Sequence, residues 1–343
     1  MTLLSILIVI VITVALLFDF VNGWNDSANA IATIVGTRVL SPFMAVVFAA
    51  MFNLAGAMVG NQVANTMSKM IYVPQQPSPA EQQMIMVIVI MGLLSATAWK
   101  VSMTLLGMPI SGSHSMIGGV VGAAVAAAGV KILVTENIGK TLLAMLLAPV
   151  MGFFVAYFIY VSLIWLTLSW RPSTMNLAFG KVQMVSAGCV AFTHGTNDAQ
   201  KVMGIITMAL MAGGFQPPAE AGKFFVPLWV QLACAAAISV GTAVGGWKVI
   251  KTLGHSLTKL GPAEGFAAET SAAIVLTIAA WLGIPISTTH TLTGAIMGLG
   301  ATRGVSSVRW GLGEKIILAW VFTLPITAAT AGTLYYFYSL FVP

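Results

Sequence analysis

Apolar stretches of 20 residues or more recur from one end of this 343-residue chain to the other. Each is long enough to cross a hydrocarbon core about 30 Å thick, so the chain is expected to be an all-α integral membrane protein. Charged residues make up 7% of it and hydrophobic ones 58%, against roughly 25% charged in soluble domains. The first stretch, 2–21, has no basic start and no small-x-small cleavage site, which predicts a retained span. Breaks richer in Pro, Gly or charge fall at 38–42, 72–83, 130–140, 170–181, 213–223, 248–265 and 302–315. They leave five apolar units in each half: 2–37, 41–70, 84–108, 109–129 and 140–168, then 182–212, 224–247, 266–284, 285–301 and 316–340. No soluble domain fits between them. Cys189 and Cys234 both lie in apolar segments and suggest neither a disulfide framework nor a metal site.

The halves repeat. Phe20–Asp26 (FVNGWND) aligns with Phe192–Asp198 (FTHGTND) at an offset of 172, and Leu106–Ser115 (LGMPISGSHS) with Leu282–Thr291 (LGIPISTTHT) at 176. Gly118 and Gly122 then match Gly294 and Gly298. Two collinear matches imply a duplication, here with 1–169 as first repeat, 170–181 as a cytoplasmic connecting loop and 182–343 as second repeat. Basic residues remain on the cytoplasmic side. With the N-terminus outside, inner loops hold Arg38, Arg171, Lys181, Lys248, Lys251, Lys259, Arg303, Arg309 and Lys315, and outer loops hold Lys69, Lys131, Lys140 and Lys223. Nine against four predicts both termini outside. Units 84–108 and 109–129 meet at Pro109 with no loop between them, so they form two full crossings or a re-entrant hairpin. Either way each half crosses an odd number of times, which inverts the second half relative to the first.

The chain has three aspartates, Asp19, Asp26 and Asp198, and two occupy equivalent places in a repeated Gly-x-Asn-Asp motif. Ionisable groups in a bilayer cost about 2.5–3.5 kcal/mol on insertion scales, so they persist where they bind or pair. The motif predicts a helix broken at 22–25 and at 194–197, whose freed carbonyls, with Asp26, Asp198, Asn22 and Asn29, suit a hard cation. Glu269, in a polar Glu-Thr-Ser patch, is a further candidate ligand for the coupling ion. Asp19 lies nearly two turns before Asp26 on the same face, has Ala191 as counterpart, and gains no role from the pattern.

The second motif suits an anion. Ser111, Ser113 and Ser115, matched by Ser287, Thr289 and Thr291, follow Pro109 and Pro285, and proline is tolerated at a helix start where Ser and Thr cap free amides. A helix N-terminus binds anions without arginine. Gly112 and Thr288 belong to the same tips, and Asn25, Asn197 and Lys201 complete the expected substrate set. Gly118, Gly122, Gly294 and Gly298 continue the same helical faces and favour close packing. For His114, His194 and His290 a hydrogen-bonded structural role is at least as well motivated as contact with substrate.

Together Gly23-x-Asn25-Asp26-x-x-Asn29, Gly195-x-Asn197-Asp198 and the Pro-Ile-Ser-x-x-His segments at 109–114 and 285–290 resemble the inorganic phosphate transporter family. The resemblance implies an inverted-repeat fold of about 10–12 membrane segments with re-entrant hairpins at the Pro-Ile-Ser segments. It implies symport of inorganic phosphate with Na+ or H+ by alternating access in the plasma (inner) membrane, as a homodimer in the lipid bilayer, with Asp26 and Asp198 needed for transport. Neither a cofactor nor a nucleic-acid partner nor an enzymatic activity is expected. The large central cytoplasmic domain of animal members is absent. Sulfate is the rival anion within the family; a histidine-lined channel is the rival from another class. A Ser113–His114 hydrolase fails because adjacent residues lie about 100° apart on a helix and cannot form a nucleophile–base pair.

Overall fold

The computed structural model describes residues 3–217 and 224–342, so Lys223 and Pro343 lie outside the described residues. The first half contains α1 (Leu3–Gly36), α2 (Pro42–Ala57), α3 (Gln62–Ser68), α4 (Pro79–Leu106), α5 (Gly112–Ala128) and α6 (Thr135–Leu166). The second contains α7 (Pro172–Ala212), α8 (Leu228–Val244), α9 (Trp247–Lys251), α10 (Pro262–Trp281), α11 (Thr288–Thr302) and α12 (Trp310–Phe341). Among the described residues there is no strand, only an isolated bridge between Ile71 and Leu133. Five helices, α1, α4, α6, α10 and α12, are each long and apolar enough to span a membrane. Two further crossings are bent: α2 meets α3 at 72°, and α8 meets α9 with its following π-turn at 63°. With the shorter α5 and α11 and the long α7, each half has five helical units among the described residues.

Helix starts follow local chemistry. Pro42, Pro79, Pro172 and Pro262 stand in first turns, where a missing N–H is no loss. Ser78 caps α4 and shares a capping box with Glu81. Because Pro172 starts a helix, the segment expected as a loop over 170–181 is helical from 172 onward. The 248–265 break likewise holds α9 and a π-turn at Thr252–Ser256.

The expected breaks at 22–25 and 194–197 do not occur: α1 and α7 run unbroken through both motifs. Their polar side chains find partners without releasing the backbone. Asn197 Nδ2 donates to the Thr193 carbonyl one turn back, and Asn25 Nδ2 donates to Thr104 Oγ1 of α4.

Buried apolar side chains form two clusters. One gathers the start of α1 (Ile8 to Phe18) with Ile85, Val120 and the end of α7; the other gathers Ala28 to Ile34 with Val190, Leu292 and Ile316. α1 and α7 pass between the clusters in opposite directions, and their polar motifs lie where one cluster stops and the other begins. Charge is thereby kept at the middle of the molecule.

The halves are inverted and interlocked. α5 packs on α12 while α11 packs on α6. A Cβ at Gly122 would meet the Ala328 carbonyl and one at Gly298 the Phe153 carbonyl, so the glycine stripes do serve close packing. Each Pro-Ile-Ser hairpin leaves the membrane on the face where it began: Ile71, just before α4, bridges Leu133, just after α5, and Arg303 after α11 bonds the Lys259 carbonyl and Glu264 near the start of α10. Gln83 at the start of α4 donates to the Tyr338 hydroxyl near the end of α12, and the start of α1 joins the same cluster as Ile85 and Tyr335. Both ends of the described chain therefore lie on one face.

Candidate substrate and ion site

Between the clusters, α1, α4 and α7 bring five ionisable side chains together, none more than 3% exposed. Asp26 Oδ2 accepts from Lys100 Nζ at 3.0 Å, and Asp198 Oδ1 from Lys201 Nζ at 2.5 Å. Asn22 ties the pairs together, donating to Asp198 Oδ2 at 3.2 Å and accepting from Lys100. His194 Nε2 lies 3.3 Å from Asp198 Oδ2 and 3.8 Å from Asp26 Oδ2.

The protons on His194 follow from its other side. Thr242 Oγ1 donates to the Ile238 carbonyl, and so accepts from Asn53 Nδ2 at 2.8 Å. Asn53 Oδ1 then accepts from His194 Nδ1 at 2.9 Å, which makes Nδ1 a donor. Nε2 faces the two carboxylates without a hydrogen bond to either, and a second proton there would point between them. With that proton in place, an imidazolium, two ammonium groups and two carboxylates give the centre one net positive charge. Burial without pairing would be prohibitive; here each charge has an opposite neighbour.

The two hairpin tips close this centre from either side. Ser113 Oγ of one tip donates to the Ile286 carbonyl of the other at 3.2 Å, and Thr289 Oγ1 returns the bond to the Ile110 carbonyl at 3.3 Å. These bonds are equivalent under the 176-residue offset, so the pseudo-two-fold axis runs between the tips. Thr289 also reaches Asp26 Oδ1 at 3.0 Å, Thr288 reaches Asp198 Oδ2 at 3.4 Å, and Asn29 donates to both threonines. At Gly112 a Cβ would strike Asn22 Oδ1 and Lys100 Nζ, so glycine lets the α5 tip sit against the charges. Two helix N-termini thus point their amides at one central spot.

The other predicted hydroxyls are occupied locally. Ser111 and Ser287 cap His114 and His290, while Ser115 and Thr291 bond back to the carbonyls of Ser111 and Ser287. Asn25 and Asn197 sit at the centre with their amide groups bonded and each Oδ1 buried without a partner. Glu269 stands apart, one turn past Asn29 along α1, accepting from Thr33, Gln183 and Ser186. The His114 and His290 rings lie 4.6 Å apart, tilted by 36°, and His290 stacks on Trp320 at 3.9 Å, a packing role.

Sequence reading missed Lys100, whose equivalent position is Leu276, and undervalued His194. Asp26 thus has a base beside it, as Asp198 has Lys201. Lys100 carried a signal, being the one charged residue inside the 84–108 apolar unit. Asp26, His194 and Asp198 offer ligand atoms within 4.8 Å of one another, a spacing a cation can bridge, but a cation there competes with two ammonium groups.

An inverted-repeat membrane fold whose helix tips and paired charges meet at its centre is that of a membrane transport protein. The sequence profile described as "Phosphate transporter family" matches residues 22–331, and the chain belongs to that family. It is 44% identical over 331 residues to a protein of Rhizobium meliloti (strain 1021) named "Probable low-affinity inorganic phosphate transporter", covering 96% of each chain. A protein of the same name from Bacillus subtilis (strain 168) is 40% identical over 337 residues and 98% of each chain. A solved structure described as "The sodium-dependent phosphate transporter" superposes with a TM-score of 0.85 at 24% identity, over 97% of this chain and 99% of that one, and shows the fold. The protein is a transporter and not an enzyme.

Proposed function

We propose that this chain is a secondary active transporter that carries inorganic phosphate with a coupling cation, Na+ or H+, by alternating access. The observation that carries the reading is the buried centre of paired charges onto which two helix N-termini converge. Phosphate sits between the tips and meets backbone amides, Ser113, Thr288, Thr289, Lys100 and Lys201. Its hydroxyl donates to Asp26 or Asp198, a bond sulfate has no proton to make. The free Asn25 and Asn197 oxygens are acceptors only, so they face the coupling cation and not the anion, alongside Asp26 and Asp198. Glu269 belongs to the cation's path, one turn from Asn29.

The moving units are not the sequence halves, 1–169 and 182–343. Because α5 rides on α12 and α11 on α6, each hairpin arm moves with the last helix of the other half. The chain works in the plasma (inner) membrane as a homodimer with both termini outside. Labelled phosphate uptake into proteoliposomes under imposed sodium or proton gradients tests this. Gradient-driven accumulation and counterflow, with sulfate a poor competitor, are expected. Phosphate flux without counterflow makes the protein a channel.

A further inference from the structure

Asp19 is fully buried on α1, two turns and about 10 Å before Asp26. No backbone, hydroxyl or amide donor reaches its oxygens, and the Cys234 thiol of α8 is the donor beside them. Its counterpart in the second half is Ala191, so it stands outside the duplicated binding set. The groups facing it are the Cys234 thiol from α8, Lys100 from α4, and His194 and Asp198 from α7. α2 has no titratable side chain, and the stretch from Gly246 through α9 to α11 touches α1 at Trp24, Asn29, Thr33 and Gly36, toward its other end. A thiol is a weak donor, so this membrane carboxyl is held by little more than its burial.

Charge gives it a task. Lys100, Lys201 and His194 against Asp26 and Asp198 leave one positive charge. An ionised Asp19 cancels it; a protonated Asp19 leaves it for an anion. We propose that Asp19 carries the coupling proton and that its protonation strengthens phosphate binding at the centre. The inference rests on the carrier reading above, takes H+ of the two coupling ions named there, and moves the coupling site from the Asn25, Asn197 and Glu269 oxygens to Asp19. Proton and anion favour each other by linkage, and across about 10 Å of low-dielectric interior the interaction is not screened as it is in water. Hydronium gives its proton to an Asp19 oxygen when the site opens to one face, and the neutral acid returns it to water when the site opens to the other. No other bond changes.

Asp19→Asn fixes the protonated shape without the proton. Purified wild type, Asp19→Asn and Asp19→Glu are placed in proteoliposomes with labelled inorganic phosphate. Wild type should show counterflow and accumulation under an inward proton gradient. Asp19→Asn should keep counterflow within about threefold and lose accumulation, its inside-to-outside ratio falling to one; Asp19→Glu should recover accumulation. If Asp19→Asn still accumulates phosphate, the proton travels elsewhere, on the phosphate itself included, and the proposal is overturned. Loss of counterflow in Asp19→Asn, failure of Asp19→Glu to accumulate, or a wild type that responds to sodium alone overturns it too. A wild type without counterflow sinks the carrier reading instead, which separates the two failures.

Discussion

Asp26 and Lys100 lie 74 residues apart in sequence and meet with neither group exposed to solvent. Removing one partner of such a pair strands the other, at about 3–5 kcal/mol, whereas removing both strands neither. Lys100→Met and Asp26→Asn are therefore each expected to lower the melting temperature in detergent, and the double variant to melt above the worse single one. Additive losses in a double-mutant cycle would mean the pair is not coupled. The tip hydroxyls divide in a similar way. Ser113→Ala and Thr289→Val break bonds between the tips or to Asp26, and phosphate affinity should fall at least fivefold. Ser115→Ala and Thr291→Ala remove bonds made within one helix turn, and affinity should stay within twofold. Equal effects in both sets would place the anion away from Ser113 and Thr289. At this scale the sequence was legible where it repeats, as at Asp26 and Asp198. It was silent where the symmetry fails. Lys100 faces Leu276 in the alignment and Asp19 faces Ala191, so a search for matched pairs passes over both. Which hydroxyls point across the tips and which turn back depends on rotamers that spacing does not encode.

Ten membrane segments could be read from apolar length and proline placement, because a span needs about 20 residues and prolines favour first turns. The backbone at the Gly-x-Asn-Asp motifs could not. Whether Asn and Asp break a helix depends on partners from other helices, here Thr104, Lys100 and Asn53, which lie tens of residues away in sequence. Glycine meaning is equally contextual. Gly122 in α5 would place a Cβ on the Ala328 carbonyl of α12, whereas Gly139 in α6 has nothing within 4 Å. Gly122→Ala should force the arm from its partner helix and destabilise by about 1–3 kcal/mol. Gly139→Ala should stabilise by up to about 1 kcal/mol, since alanine is the better helix former. Melting curves in one detergent decide it, and a Gly122→Ala variant as stable as wild type would mean that the close approach of α5 to α12 is dispensable.

Inversion of the second half is a property of the whole molecule, and it fixes how the binding site is built. Two antiparallel copies present their hairpin tips to each other across a pseudo-two-fold axis, so one duplicated anion motif becomes a two-sided site at the centre. An odd number of crossings per half also puts both chain ends on one face, which the contact between Gln83 and Tyr338 supports. Geometry alone does not say which face is external. The charge asymmetry predicts it: Arg38, Arg171, Lys248, Lys251, Lys259, Arg303 and Arg309 fall in loops opposite the chain ends, and basic loops tend to stay in the cytoplasm. In a variant with Cys189 and Cys234 replaced by Ala, a single cysteine at exposed Gln75, on the chain-end face, should react with a membrane-impermeant maleimide in intact cells. One at exposed Ser173, on the basic face, should react only after permeabilisation. The reverse pattern would keep the fold and turn the protein over in its membrane. Labelling of both positions from one side would place Gln75 and Ser173 on the same face, which an odd number of crossings in the first half forbids.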